Sequence, residues 1–569
     1  MLSCTSTAAG QVFLPDDPLW EDPDRLDAPV PSTQDYGNAF RTATRMLGFG
    51  GTHQRPALNI NTLGEVPNSS WYTNRHYAQR MPLDVLAQSP GRPPALETPW
   101  WVVEGSDETG RVVLEILDGR GDRFVLKFDP VGFPELATGA EVIAARLLYA
   151  MGYHVPDVHL VRFAPEQVLP EESTPPPKEA HVLSRSRLRR LLQGVQSYQD
   201  GTYRAVAVKQ PEGTPIGPFR FEGTRLDDAN DLFPHEHRRE LRGLYVFAAW
   251  LGFDEASSEN TLDVLVEEAG HQFVRHTLAD VSGALGAGET GPAARWEGHE
   301  HLVDVRAILM RSATLGFAGA DWLNIYYPDL PAAGHFEADH FRPEAWKTRL
   351  PNPAFDRCDP ADAFWAARQV QHVTDEEIRR VVEAAQYSSP RTTQYLTDIL
   401  ITRRDQIGRA YLALGGGLDR FRVRGDRLHF DDLLRSYRID TLAAGAPQRT
   451  VRWYAFSNGV GTLGRRLATS TTPGSPLRIP ETDVAFVAAE IQTPGYGLTR
   501  VYLRRTSEGE PGTSGAGRHA YEVVGVERLN AEEEDEANES SGADESGEAS
   551  ERPQKKERQQ RRANTTWLP

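Results

Sequence analysis

The sequence has very few cysteines and no long apolar run, and both absences narrow the classes of protein that it can encode. Cys4 and Cys358 are the two cysteines in 569 residues, which excludes a disulfide framework. No stretch approaches the ~18 consecutive apolar residues that a membrane-spanning helix needs. The formal net charge of −18 disfavours a nucleic-acid partner, because phosphate binding requires a basic surface.

Much of the negative charge lies close to the C-terminus. Residues 532–551 contain ten acidic and no basic residues, so the rest of the chain carries −8 of the total of −18. A Lys/Arg/Gln-rich stretch follows. Composition of this kind cannot build a packed core, and we expect residues 530–569 to form a disordered acidic and basic tail.

Several motifs of common enzyme classes are also missing. The chain has no Walker motif, no Gly-x-Ser-x-Gly nucleophile elbow and no His-Glu-x-x-His metalloprotease motif. It has no Gly-rich phosphate loop of the eukaryotic kinase type, since Gly105 to Gly110 and Gly119 to Gly121 are typical of plain turns.

The N-terminus leaves two alternatives open. Ser3 before Cys4 resembles the end of a bacterial lipoprotein signal, although its charged and apolar regions are missing. Either a lipidated Cys4 attaches the protein peripherally to a membrane of the cell envelope, or the N-terminus is plainly disordered and the protein is cytoplasmic. Residues 1–75 predict an extended arm, in which Trp71 and Tyr72 mark a turn packed on the main domain.

The segment from residue 95 to 210 has the pattern of a sheet with two helices. One helix follows a capping box from Thr138 to Glu141, and a basic helix is predicted at Ser184–Leu192. The turn-rich spacers predict five strands, at Trp100–Glu104, Arg111–Leu117, Phe124–Phe128, Val158–Phe163 and Tyr203–Val208. A Gly/Pro hinge at Pro211–Pro218 follows. We therefore predict a small lobe over about 95–210.

The segment from 211 to 415 is more helical, and strands return after it. Helices are predicted at Glu236–Leu251, after a capping box at Thr374 to Glu377, and at Thr393–Leu414. Residues 416–529 alternate in short strands with turn signals, which favours a β-sandwich-like domain. The predicted fold class is α+β, with a bilobal core at 76–415, a small β-sandwich and a disordered tail.

Four residues stand in a chemically suggestive order: Lys127, Glu141, Asn260 and Asp280. Lys127 ends a predicted strand, Glu141 lies on the predicted helix, Asn260 precedes a strand and Asp280 follows one. Protein-kinase-like folds present their ATP-handling groups in this order: a Lys for the phosphates, a Glu that orients it, then an Asn and an Asp for Mg²⁺. Three of these residues also have an ordinary interpretation: Lys127 as an exposed strand Lys, Glu141 as a capping Glu, and Asp280 as a helix or turn cap.

The catalytic base is ambiguous in the sequence. Kinases place an Asp five residues before the metal-binding Asn; here Glu255 stands five residues before Asn260 and Asp254 six. Either the turn holds an extra residue, or Glu255 replaces the Asp, or the site is inactive. Repulsion from carboxylates such as Asp254 further predicts that removing the charge of Asp280 leaves the ligand-free protein equally stable or slightly more stable.

Residues 223–242 form the densest polar stretch of the chain. Its His235-x-His237 pair beside acidic residues is compatible with a metal site. A charge network that anchors the start of the following helix is the favoured interpretation, since Asp231 and Glu236 suit a helix N-terminus.

Three stretches, Glu65–Arg75, Lys127–Pro156 and Gly223–Gly288, resemble a family of uncharacterised bacterial envelope proteins. That family is similar to atypical protein-kinase-like proteins of the spore-coat and toxin kinase type, and the resemblance covers roughly residues 55–415. It implies Mg-ATP as cofactor and a protein or small molecule as phosphate acceptor. Such proteins carry Asp where this chain has Glu255, and a basic residue where it has Ser257.

Two hypotheses follow. In the first, the protein is an atypical kinase: Lys127 and Glu141 handle nucleotide, Asn260 and Asp280 hold the metal, and Asp254 or Glu255 is the base. In the second, it is a non-catalytic pseudokinase of the cell envelope that binds partners at the surface. A melting shift with Mg-ATP discriminates the two.

Overall fold

A computed structural model describes residues 11–22, 27, 55–107, 111–168, 182–313, 320–439, 448–506 and 520–529. The chain divides into two compact units, a larger one of Glu21–Asn59 and Val66–Ala410 and a smaller one of Met1–Trp20, Ile60–Glu65 and Tyr411–Pro569. Both Cys4 and the predicted tail lie outside the described residues. Within those residues, no helix combines the length and apolarity that crossing a membrane requires.

The larger unit opens with a short helix α1 (Leu83–Leu86) and a five-stranded antiparallel sheet. The strand order is β1-β2-β3-β5-β4, with β1 (Trp101–Ser106), β2 (Val113–Leu117), β3 (Arg123–Phe128), β4 (Val158–Phe163) and β5 (Tyr203–Lys209). Helix α3 (Arg185–Leu192) covers part of the sheet and shares its core through Leu188 and Leu191. The sequence located these strands to within two residues, because each is an apolar-rich run between polar or turn-rich segments.

Helix α2 (Leu136–Ala150) packs against β3, β4 and β5 and starts differently from the prediction. It begins at Leu136, so Thr138 and Glu141 lie inside it and the predicted capping box does not form. Asp129 instead accepts hydrogen bonds from the backbone N–H groups of Glu135 at 2.9 Å and Thr138 at 2.8 Å. A carboxylate at the end of β3 thus satisfies the helix start, and the Glu141 side chain is left for another role.

The rest of the larger unit combines helices with a three-stranded antiparallel sheet. The sheet consists of β6 (Thr214–Pro215), β7 (Thr261–Glu268) and β8 (His271–Leu278), and the helices are α4 (Arg239–Leu251), α5 (Val305–Ala313), α6 (Pro360–His372), α7 (Asp375–Glu383) and α8 (Pro390–Tyr411). Helix α7 starts with the predicted capping box, in which Thr374 Oγ1 accepts a hydrogen bond from the Glu377 N–H at 3.3 Å. Helices α4 and α6 pack so closely that a Cβ on Gly243 would lie 2.7 Å from the Trp365 ring.

The segment around Trp71 is part of the core of the larger unit. Trp71 and Tyr72 are buried, as predicted for a packed turn. The Trp71 ring stacks on His276 with a centroid distance of 3.5 Å, and the Tyr72 hydroxyl donates to Gln369 Oε1 at 3.0 Å. These contacts join the turn to β8 and to α6.

The smaller unit contains two antiparallel sheets and one short helix, α9 (Leu433–Ser436). One sheet has the order β13-β10-β9 and the other β12-β11-β14-β15-β16, with β9 (Leu418–Arg424), β10 (Arg427–Asp432), β11 (Arg449–Ser457), β12 (Thr462–Thr472), β13 (Leu477–Arg478), β14 (Phe486–Thr493), β15 (Gly497–Thr506) and β16 (Ala520–Leu529). Both sheets contribute to one apolar core, through residues such as Leu428 and Trp453. Strand β12 escaped prediction because most of its side chains are exposed and no apolar alternation marks it.

Candidate functional site

Lys127 lies near the end of β3, with its ammonium between two carboxylates. Its Nζ is 2.7 Å from Glu141 Oε1 on α2 and 2.9 Å from Asp280 Oδ2 just after β8. Burial acts to lower the pKa of Lys127, but Asp280 and Glu141 outweigh it and raise the pKa above its usual value. The predicted contact between Lys127 and Glu141 is therefore confirmed.

Glu141 is buried, and half of its carboxylate is unused. Lys127 is the hydrogen-bond partner of Oε1, whereas Oε2 has no partner among the described residues. Burial raises the pKa of Glu141 although Lys127 acts in the opposite direction. A carboxylate in this position fixes the direction of the Lys127 side chain, because a Lys127 that turned away would leave the buried Glu141 carboxylate without its ion-pair partner.

Asp280 is the most exposed of the three charged residues Lys127, Glu141 and Asp280. Its Oδ1 accepts a hydrogen bond from the Ser282 N–H at 2.9 Å, and its side chain is 35% exposed. Burial would raise the pKa of Asp280, yet Lys127 and Arg111 together hold it well below the usual range. The expected repulsion at Asp280 is therefore wrong for the ligand-free protein, because the nearest charge is the Lys127 ammonium and not a carboxylate.

Asn260 is tied to Asp280 through the backbone. It closes the short helix Ser258–Asn260, and its carbonyl accepts hydrogen bonds from the N–H groups of Ala279 at 2.8 Å and Asp280 at 3.3 Å. These bonds bring together two residues that are twenty positions apart in the sequence. The two predicted metal ligands thus occupy neighbouring positions, on the segments that precede β7 and follow β8.

The structure separates the two candidate bases. Asp254 is buried, and its Oδ2 has no partner among the described residues. Burial raises the pKa of Asp254 far above its usual value, and the neighbouring Glu297 and Glu255 add to the shift. A carboxyl in these surroundings is harder to ionise than an exposed one, and a general base must be ionised to accept a proton.

Glu255 has the more suitable surroundings. Its side chain is 28% exposed and binds Arg349 Nη1 through Oε1 at 3.1 Å. A Cβ added to Gly283 would lie 2.6 Å from Glu255 Oε2, so this carboxylate reaches the loop that follows Asp280. Burial raises the pKa of Glu255, Arg349 opposes the shift, and Asp280 adds to it. Of the two acids, Glu255 is the one beside the Asp280 loop.

Arg111 and Ser282 belong to this group, although the sequence analysis did not single them out. Arg111 Nη2 donates to Ser282 Oγ at 3.2 Å, which links the start of β2 to the loop after Asp280. In the sequence, Arg111 follows the turn between the first two strands, and Ser282 stands two residues after Asp280. These positions could have indicated a role in the site. An Arg before a strand and a Ser in a loop are so common, however, that neither position distinguishes its residue from an ordinary surface residue.

The polar stretch at 223–242 forms a charge network rather than a metal site. His235 Nε2 lies 2.7 Å from Asp231 Oδ2, whereas His237 Nδ1 lies 2.7 Å from Arg242 Nη2, so the two imidazoles have different partners. Burial acts to raise the pKa of Asp231, but His235 outweighs it and lowers the pKa to about 2. In the part of the chain that is described, no three His, Cys, Asp or Glu side chains converge as metal ligands.

Comparison with known proteins yields little. No protein-family model matches the chain, and no curated protein matches it either. A match among solved structures is the crystal structure of a Helicobacter pylori proinflammatory kinase, CtkA, at 10% sequence identity and a TM-score of 0.27, covering 55% of this chain and 96% of that one. The chain thus has a weak structural likeness to a kinase, and a likeness at this TM-score says nothing about activity.

Proposed function

We propose that this protein is an atypical kinase that binds Mg-ATP and transfers phosphate to a hydroxyl group of a substrate that is still to be identified. The observation that carries the proposal is the position of the Lys127 ammonium, 2.7 Å from Glu141 and 2.9 Å from Asp280. A buried Lys held between a helix Glu and a metal-binding Asp is the arrangement with which kinase-like enzymes bind nucleotide phosphates.

The residues have distinct roles in this proposal. Lys127 contacts the phosphates as a compact positive charge, and Glu141 keeps it directed toward them. Asp280 and Asn260 hold Mg²⁺, which neutralises negative charge on the phosphates. Glu255 accepts the proton of the substrate hydroxyl as the new phosphorus–oxygen bond forms, while the bond between the γ-phosphorus and the bridging oxygen breaks and ADP leaves with that oxygen. The surroundings of Glu255 suit this role better than those of Asp254.

The donor set suits Mg²⁺ in particular. Asp280 offers carboxylate oxygens, and the Asn260 side-chain N–H donates to the Glu255 carbonyl at 2.8 Å, which leaves the amide oxygen as the coordinating atom. Mg²⁺ prefers oxygen ligands and is commonly held by one or two carboxylates together with substrate phosphates. A site of two protein ligands agrees with the lack of a larger ligand cluster among the described residues.

In this proposal the larger unit is a kinase-like core: the five-stranded sheet with α2 forms its small lobe and the helical part its large lobe. The smaller unit is a β-sandwich whose role is open. Attachment to the cell envelope through Cys4 stays a prediction, because Cys4 lies outside the described residues.

One observation favours the second candidate, a non-catalytic envelope protein that binds partners with the same fold. The proposed base, Glu255, is engaged by Arg349 at 3.1 Å, and a base held by a guanidinium is a weaker proton acceptor. A protein of this kind binds nucleotide weakly or not at all, and it transfers no phosphate.

A thermal-shift titration of the full chain with Mg-ATP tests the proposal. Ligand at about a hundred times its dissociation constant stabilises the folded state by about 2.7 kcal/mol, which is easily measured in melting. We expect such a shift in wild type, its loss in Lys127→Met, and its retention in Lys209→Met. Lys209 is a suitable control because it ends a strand of the same sheet and pairs with Glu212 at 3.5 Å. Absence of any shift in wild type at millimolar Mg-ATP refutes the proposal.

A further inference from the structure

The group around Lys127 has too little positive charge to neutralise a nucleoside triphosphate. One ammonium lies between two carboxylates, those of Glu141 and Asp280, so this group has an excess of negative charge. The triphosphate of Mg-ATP is also negative, and kinases neutralise it with additional donors, usually the backbone N–H groups of a Gly-rich loop. This chain has no such loop in its sequence.

A second cation, Arg111, lies close to this group. Arg111 stands two residues before Val113, the residue of β2 that pairs with Lys127 of β3 in the antiparallel register. It is partly exposed, and its Nη2 donates to Ser282 Oγ at 3.2 Å. The Ser282 N–H in turn donates to Asp280 Oδ1 at 2.9 Å. The guanidinium is therefore placed next to the loop that carries the proposed metal ligand.

The field of Arg111 reaches all three charged groups. Its positive charge contributes to lowering the pKa of Lys127, of Glu141 and of Asp280. In the described part of the chain no carboxylate lies within ion-pair distance of its guanidinium, and the bond to Ser282 uses one N–H group. A guanidinium has five N–H donors and binds phosphate oxygens in pairs, so most of its donors remain for a ligand.

We propose, resting on the function proposed above, that Arg111 is a second phosphate-binding residue, which supplies from a side chain the contacts that a Gly-rich loop supplies from its backbone. Arg111 contacts the triphosphate from the small lobe while Ser282 keeps the guanidinium beside Asp280. The affinity of the site for a nucleotide then rises with the number of its phosphates. The base and the ribose contribute to the affinity independently of Arg111.

Binding measurements on the full chain with Mg-ATP, Mg-ADP and adenosine test this residue. We expect Arg111→Ala to weaken Mg-ATP about tenfold or more, as loss of a charge-assisted hydrogen bond implies, to weaken Mg-ADP less, and to leave adenosine unchanged. Arg111→Lys keeps the charge without the paired donors and should lie between wild type and Arg111→Ala.

Arg123→Ala is the matched control. Arg123 begins β3 of the same sheet, and its Nη1 binds Glu115 at the surface at 2.6 Å; its replacement should leave all three affinities unchanged. The proposal is overturned if Arg111→Ala binds Mg-ATP as wild type does, or if it weakens adenosine as much as Mg-ATP, which indicates a structural role. If wild type binds no nucleotide at all, the proposed function fails and this inference fails with it.

Discussion

The side-chain amide of Asn260 donates a hydrogen bond to the backbone carbonyl of Glu255, five residues earlier, at 2.8 Å. This bond fixes the turn between the proposed base and the proposed metal ligand. Of the two candidate bases, it is therefore Glu255 and not Asp254 whose backbone carbonyl is bonded to the Asn260 side chain. The spacing of five residues in the sequence thus corresponds to a direct contact.

Replacement of Glu255 and of Asp254 should have different effects on phosphate transfer. We expect Glu255→Gln to lower the rate by about 10²–10⁴, as loss of a general base does. Asp254→Asn should have a much smaller effect on the rate, because Asp254 is buried and the surroundings that raise its pKa disfavour the ionised form that a general base needs. Single-turnover hydrolysis or transfer with labelled ATP measures both. The reverse ranking would assign the base to Asp254.

The pH dependence of stability should identify Asp254 independently of activity. Its pKa is raised in the folded protein, so above the usual value of about 3.9 the folded state binds a proton that the unfolded state lacks. The free energy of unfolding then falls as pH rises toward the folded pKa, by at most about 1.4 kcal/mol per pH unit.

Asp254→Asn removes that dependence. Urea unfolding at pH 5, 6, 7 and 8 should therefore show the variant gaining on wild type as pH rises. Asp200→Asn, at a surface position with a 55% exposed side chain, is the control and should show no such trend. A constant difference between wild type and Asp254→Asn across this range contradicts the raised pKa.

Removal of the Asp280 charge should destabilise the ligand-free protein. Asp280→Asn loses the ion pair with Lys127 at 2.9 Å, and we expect a cost of about 1–2 kcal/mol in the free energy of unfolding. The same change should abolish the Mg²⁺-dependent part of any stabilisation by ATP. Asp122→Asn is a matched control, since its side chain is also 35% exposed and its contact with Lys209 is longer, 3.9 Å. If Asp280→Asn is as stable as wild type, the sequence-based expectation that removing this charge does not destabilise the ligand-free protein is correct after all.

Asp362 should be essential for the packing of α4 against α6. It is buried, Oδ1 lies 2.8 Å from Arg239 Nε and Oδ2 lies 3.2 Å from Arg242 Nη1. Asp362→Ala removes the buried carboxylate that both guanidinium groups share, and we expect a loss of about 3–5 kcal/mol. Asp398→Ala, on the exposed side of α8, should change stability by less than about 0.5 kcal/mol. Denaturant unfolding measures the stability of both variants. Equal losses of stability would show that the buried ion pairs of Asp362 do not stabilise the protein more than an exposed carboxylate does.

Much of the local structure could be predicted because it depends on neighbours in the sequence. The strand that carries Lys127 is an apolar run after a turn-rich spacer, and the capping box at Thr374 joins residues three positions apart. The contact between Lys127 and Glu141 was also predictable, since a helix that follows a strand packs on the same sheet. Strand β12 had no such pattern, because most of its side chains face solvent.

The start of α2 illustrates what the sequence left ambiguous. Thr138 and Glu141 have the spacing of a capping box, yet the N–H of Thr138 bonds to Asp129, nine residues earlier, at 2.8 Å. The Asp129 carboxylate, which the fold brings to the helix start, competes with the Glu141 carboxylate for the Thr138 N–H. The geometry of the turn after β3 decides which of the two accepts the hydrogen bond. That outcome makes the Glu141 carboxylate available to Lys127.

The sequence by itself determined the order of the charged residues and most of the strands and helices, since periodicity and short-range spacing encode these, although strand β12 and helices α5 and α6 were not predicted. The tertiary structure decided which charges meet. It paired Asp280 with Lys127 instead of opposing it to Asp254, buried Asp254 while leaving Glu255 beside the Asp280 loop, and brought Arg111 to Ser282. Electrostatic energy depends on distance and burial, which the order of residues along a chain does not contain.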